Sequence, residues 1–134
     1  MNCRIIDINN IETLSVIAEN FPEGIQEAFN KLKSNLTSLK GLKFYGAALI
    51  KSDGVEYRAC FESAEKKEIP ELEKFTIPGG KYASCKLKDW NKRTGEIKNL
   101  FKQMMTGYKT DLSRPQVEFY KSQKELILML PVYA

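Results

Sequence analysis

The sequence predicts an α+β fold built from duplicated β-α-β-β units related by a pseudo-two-fold axis, with antiparallel sheets and two main helices. Three observations lead to it. Two amphipathic stripes recur 72 residues apart, the second starting at Ile97 and the first at Ile25. A strand–turn–strand pattern follows each stripe, and a strand candidate precedes each.

In chain order, the first strand candidate is IETLSVIA. The segment PEGIQEAFNKLKSNLTSL then places Ile25, Phe29, Leu32 and Leu36 at i, i+4, i+7 and i+11, one apolar face of a helix. Pro22 suits the first turn of that helix. KFYGAALIKSDGVEYRACFES reads as a hairpin, with Asp53-Gly54 as the turn signal. The connector SAEKKEIPELEK is charged, carries Pro70 and reads as exposed. KFTIPGGKYASCKL is the strand candidate of the second half, with Gly79-Gly80 as a tight bend rather than a phosphate loop, since neither the Lys-Ser/Thr ending nor the helix of a P-loop follows. GEIKNLFKQMMTGYK repeats the helical stripe through Ile97, Phe101, Met104 and Tyr108, and Gly107 weakens its end. VEFYKSQKELILMLPV closes the chain as a second hairpin with a shorter turn. The halves span about residues 1–64 and 74–134 of one domain, joined by a connector over 65–73. A groove between such halves is a natural ligand site.

Composition narrows the chemistry. The chain has 134 residues, enough to bury a core, with 43% hydrophobic and 28% charged residues. It holds no histidine, which removes Ser-His and Cys-His nucleophile systems and the commonest metal ligand. Cys3, Cys60 and Cys85 lack CxxC spacing and read as structural thiols, not as a disulfide framework or zinc site. No cofactor or metal is expected. The net charge of +4 is spread through mixed-sign segments, so no direct nucleic-acid binding is expected. No apolar run is long enough to span a membrane, and the N-terminus lacks signal-peptide features, which makes the cytoplasm the expected location.

Glu118 is the odd residue. It sits between Val117 and Phe119 in a strand heading into the core. Alternation gives Gln116, Glu118 and Tyr120 one face, and Val117 and Phe119 the other. If Val117 and Phe119 pack beneath the helices, Glu118 points to the opposite side. Tyr57 and Phe61 also share one face of their strand, which serves either core or pocket. Tyr45, Tyr82 and Tyr120 add tyrosine density, and Trp90 stands in the polar context KDWNKR, as an aromatic wall or as a surface contact. Met104, Met105 and Met129 read as core packing.

Three segments carry a family resemblance. IPGGKYASC (residues 77–85), QVEFY (116–120) and ELILMLPV (125–132), in that order and spacing, resemble the GyrI-like small-molecule-binding domain. This is the bacterial family of the DNA gyrase inhibitory protein and of effector-binding domains in AraC- and MerR-type regulators. The resemblance implies a stand-alone effector-binding domain without a helix-turn-helix. It implies a ligand cavity centred on Glu118, with Tyr120, Tyr57, Phe61, Trp90 and Tyr45 as the other candidate ligand-binding residues. Its ligand would be an amphipathic cation or aromatic compound, sensed or sequestered, with a regulator or gyrase as a candidate protein partner. Ile127 stands where many members carry a second acid. Two other readings stay open: a hydrolase of strained electrophiles using Glu118 and a tyrosine, with no catalytic residue assigned, and a protein-interaction module.

Overall fold

A computed structural model describes residues 2–63 and 68–133; residues 64–67, which include the start of the connector, lie outside that description. The elements are β1 (Cys3–Ile8), β2 (Ile11–Ile17), α1 (Ile25–Ser34), β3 (Lys43–Lys51), β4 (Gly54–Glu62), β5 (Glu73–Ile77), β6 (Gly80–Lys88), α2 (Ile97–Gly107), β7 (Gln116–Tyr120) and β8 (Glu125–Pro131). All eight strands join one antiparallel sheet in the order β1-β6-β8-β7-β3-β4-β2-β5. The protein is thus an α+β fold of one sheet and two helices.

Both helices form on the stripes that the sequence marks. Ile25, Phe29, Leu32 and Leu36 meet Leu14, Val16, Tyr57, Ala59 and Phe61 under α1. Ile97, Phe101, Met104 and Tyr108 meet Cys85, Leu87, Leu126, Leu128 and Leu130 under α2. At roughly 1.5–3 kcal/mol per fully buried large apolar side chain, these two interfaces are what hold the helices on the sheet. The boundaries differ from expectation at α1. Pro22 lies in the preceding turn, with Gly24 at the N-cap, so it does not start the helix. The end comes early because Ser34 Oγ and Asn35 Nδ2 both donate to Lys31 O, offering that carbonyl a local partner in place of the next turn.

Both helices lie on one face. Residues paired across strands share a face. The register sets Cys3, Cys85, Leu128, Glu118, Gly46, Ala59 and Val16 in one transverse row. Cys85 and Leu128 belong to the α2 core, and Ala59 and Val16 to the α1 core. Glu118 therefore points toward the helices, and the expectation that Val117 and Phe119 pack beneath them is corrected. Those two residues face a third core with Tyr45, Ala47, Cys60, Ile77, Tyr82 and Met129, joined by Ile6, Ile8, Ile11 and Phe75. The helix-free side stays apolar because the outer strands β1, β2, β5 and β6 contribute side chains to bury it.

Two strands escaped the sequence reading. β1 has no counterpart among the strand candidates, and KFTIPGGKYASCKL splits at Pro78-Gly79 into β5 and β6, which pair with different neighbours. The bend expected at Gly79-Gly80 is present: Gly80 has φ +132°, and Gly79 N–H donates to Asn10 Oδ1 at 2.6 Å. A Cβ at Gly79 would lie 2.7 Å from Ile8 O, so the close approach of two backbones requires glycine there. The connector is not wholly exposed either: Ile69 and Leu72 pack against the α1 core.

Cys3 and Cys85 form a disulfide between β1 and β6, with Cα atoms 4.4 Å apart. This corrects the structural-thiol reading for both; only Cys60 is a free, buried thiol. Their spacing in sequence carries no motif, and the pair exists because the register sets one directly opposite the other.

Candidate functional site

The transverse row reaches its one carboxylate at Glu118, on β7, between the two helix-covered flanks. Tyr57 Oη donates to Glu118 Oε1 at 2.6 Å, and Tyr120 Oη donates to the same oxygen at 2.8 Å. Oε2 accepts no hydrogen bond among the described residues, yet it is not one of their buried unpartnered atoms. The carboxylate is thus gripped on one oxygen, while the other has no hydrogen-bond partner among the described residues.

Gly46 makes this possible. It is the β3 residue directly opposite Glu118, and a Cβ there would collide with Tyr57 Oη and sit 2.5 Å from Glu118 Oε1. The missing side chain is the space in which the hydroxyl meets the carboxylate. Sequence reading missed Gly46, which looked like one more small residue in KFYGAALIK. Its signal was available only once β3 and β7 were known to be paired.

Aromatic rings enclose the cluster. Phe29 of α1 meets Tyr57 and Tyr120 edge-on at 6.4 and 5.4 Å. Phe21, 41% exposed, stacks on Tyr57 at 5.7 Å. Trp90 meets Tyr120 edge-on at 5.1 Å while its Nε1 donates to Ser122 O at 2.9 Å. Trp90 therefore lies against Tyr120 and is fixed to the β7–β8 turn by a polar contact. Phe21 and Phe29 were not among the expected site residues.

The other candidates separate. Phe61 shares the helix-bearing face but packs beside Phe44 at 1% exposure, in the core. Tyr45 points the other way: it stacks on Phe119 at 4.9 Å and donates to Glu62 Oε1 at 3.2 Å. As the neighbour of Gly46 on the strand, it belongs to the opposite face, and the structure does not bring it to Glu118. Ile127 is also on that helix-free side, opposite Phe119. Arg114, two residues before β7, is committed away from Glu118. Its Nε donates to Asp111 Oδ2 at 2.8 Å, and its guanidinium lies over Tyr82 at 4.9 Å.

Electrostatics follow from burial. Desolvation pushes the Glu118 carboxyl above its usual range, and the two tyrosine hydroxyls, by bonding the ionised form, pull it partly back. Tyr57 and Tyr120 are raised well above an ordinary phenol, first by burial and then by the neighbouring carboxylate. Both remain donors at neutral pH. The arrangement can hold a charge on Glu118 and offers Oε2 to a positive or hydrogen-bonding group. A shallow depression of about 310 Å³ lies away from it, along Leu14, Glu68, Ile69, Pro70, Leu72 and Lys74, and includes no residue of the Glu118 cluster. Among the described residues no group of three metal-ligating side chains occurs. None of the helices is long and apolar enough to cross a membrane.

No protein-family model and no curated protein matches the sequence. Solved structures do match. An integron cassette protein, VCH_CASS2, from the mobile metagenome of Vibrio cholerae is similar with TM-score 0.78 and 20% identity, covering 98% of this chain and 95% of that one. SAV2435, solved bound to tetraphenylphosphonium, is similar with TM-score 0.64 and 14% identity, over 100% and 95% of the two chains. A hydrolase from Listeria innocua is similar with TM-score 0.62 and 17% identity, over 98% and 91%. At these identities the likeness establishes a shared fold, one consistent with the GyrI-like resemblance of the sequence.

Proposed function

We propose that this chain is a GyrI-like small-molecule-binding domain, a single domain of two duplicated units, whose ligand is a lipophilic cation or cationic aromatic compound. The observation that carries the reading is Glu118: a desolvated carboxylate with one oxygen held by Tyr57 and Tyr120 and the other unengaged among the described residues, none of whose cationic side chains pairs with it. A buried charge of this kind is costly unless a partner offsets it. A ligand cation would be that partner, and the surrounding ring faces of Phe21, Phe29 and Trp90 favour an organic cation by about 0.5–2 kcal/mol per contact. The binding of tetraphenylphosphonium by SAV2435, which shares the fold, supports the same ligand class. Sensing or sequestration of a toxic compound in the cytoplasm is the role such a domain would serve.

The test is a melting-temperature screen of wild type and Glu118→Gln against tetraphenylphosphonium and a neutral tetraphenyl compound of matched shape. Ligand at 100 times its dissociation constant adds about 2.7 kcal/mol. Cation-selective stabilisation that disappears in the variant is the expected result. Equal response to the neutral compound would overturn the role of Glu118.

A hydrolase reading draws on the raised Glu118 carboxyl, which suits a general acid or base, and on the hydrolases that share the fold. In that case Glu118→Gln abolishes turnover of a strained electrophile such as an epoxide while binding persists. The interaction-module reading, with a gyrase or a regulator as partner, has less behind it. The exposed large apolar residues Ile5, Ile17, Phe21, Leu39, Ile50, Leu112 and Tyr133 belong to separate segments.

A further inference from the structure

Cys3 and Cys85 end the row on which Glu118 stands, Cys85 two strands away from it through Leu128 and Cys3 one strand further. They face α2, in the core that also holds Trp90 and Tyr120. They are paired directly, and the 4.4 Å between their Cα atoms is the spacing of a narrow antiparallel pair, so the bond requires no displacement of either strand. Their accessibility differs: Cys85 is 1% exposed, whereas Cys3, on the edge strand, is only half-buried. Beyond β1 the sheet has no further strand. The third cysteine does not compete, because Cys60 is fully buried on the helix-free side, and burial pushes its thiol up to about 12.

We propose that Cys3 and Cys85 form a thiol–disulfide exchange site whose substrate is a low-molecular-weight disulfide, and that its state sets whether β1 is locked to the sheet beside the Glu118 row. The Cys3 thiolate attacks one sulfur of the small disulfide, forming a mixed disulfide and expelling one small thiolate. The Cys85 thiolate then attacks Cys3 Sγ, forming the protein disulfide and expelling the second small thiolate. The two protons lost by the protein thiols end on the two small thiols. The protein is oxidised by two electrons and the small disulfide is reduced by two. In reverse, two small thiols reopen the bond. β1 is then held by its ladder to β6, by the exposed Lys81–Asp7 ion pair and by Ile6 and Ile8 in the helix-free core. An edge strand held that way exchanges and frays more readily.

The experiment equilibrates the full chain in a series of reduced and oxidised glutathione mixtures. Intact mass reads the thiol state, hydrogen exchange reads the β1 amides, and Trp90 fluorescence reads the α2 core. The expected result is loss of two hydrogens within the series, with β1 amide exchange slowed at least about 10-fold in the oxidised form. Cys3→Ser and the double variant with Cys85→Ser should show the reduced pattern in every mixture; Cys3→Ser alone suffices if the buried Cys85→Ser change unfolds the chain. A disulfide that survives the most reducing mixture is a fixed staple and overturns the proposal. So does a dithiol that survives the most oxidising one, a glutathione adduct left on wild-type Cys3, or β1 protection equal in both states.

Discussion

Among the described residues, tyrosine hydroxyls bond glutamate carboxylates on both faces of the central strands, and the two carboxylates are held differently. Tyr45 reaches Glu62 at 3.2 Å near the end of β4, on the side without helices. Tyr57 reaches Glu118 at 2.6 Å over Gly46, between the two helix-covered flanks, and Tyr120 adds a second donor to the same oxygen. The residue types are the same. What differs is the position on the sheet: one carboxylate ends a strand at the rim, while the other sits mid-row, desolvated, with aromatic rings around it. Burial and shared donors, rather than the pairing of a tyrosine with an acid, make Glu118 the candidate site.

Gly46→Ala should break this contrast most severely. Its methyl has no room beside Tyr57 Oη and Glu118 Oε1, so overpacking and a lost charge-assisted hydrogen bond should together cost roughly 2–4 kcal/mol by denaturant unfolding. Because the clash is with a hydroxyl, adding Tyr57→Phe should recover part of that loss. Strict additivity of the two changes would show that the crowding is not there.

Tyr57→Phe alone should cost about 1–2 kcal/mol, since it removes one of two donors to the carboxylate. It should also move the Glu118 titration further up, because that hydrogen bond favours the ionised form. Carbon-detected NMR of the Glu118 carboxyl across pH would follow it. An unchanged or lowered titration would contradict the geometry.

The pH dependence has a definite sign. A carboxyl raised in the folded state binds its proton more tightly there than in the unfolded chain. Its contribution is complete below the unfolded value of about 4.5 and is lost as pH rises through the folded one. Over that window Glu118→Gln should flatten the decline in stability seen in the wild type. Affinity for tetraphenylphosphonium should rise over the same window in the wild type, as the carboxylate forms, and stay level in the variant. Parallel stability profiles for the two proteins would remove the desolvated carboxylate from the account.

Tyr45→Phe should have the smallest effect. Its hydrogen bond is long and its partner half-exposed, so about 0.5 kcal/mol is the expected cost, with cation binding unchanged. A loss of binding matching that of Tyr57→Phe would mean that the two faces are not separate.

The sequence by itself determined the helices and much of the sheet. Four apolar residues at helical spacing define each helix, and the strand–turn–strand pattern around Asp53-Gly54 marks the β3–β4 hairpin, whose turn the register places at Ser52-Asp53, because these signals are local. It also marked Glu118, since a carboxylate among core residues is costly enough to stand out. Tertiary structure decided the rest. Which face of β7 meets the helices depended on strand order, as both faces are buried and alternation alone is symmetric. The roles of Gly46 and of Phe21 and Phe29, the separation of Tyr45 from the cluster, and the Cys3–Cys85 bond all arise from cross-strand register or from packing of residues far apart in the chain. Such pairings carry no spacing signal, because the energy that selects them is released only when the strands meet.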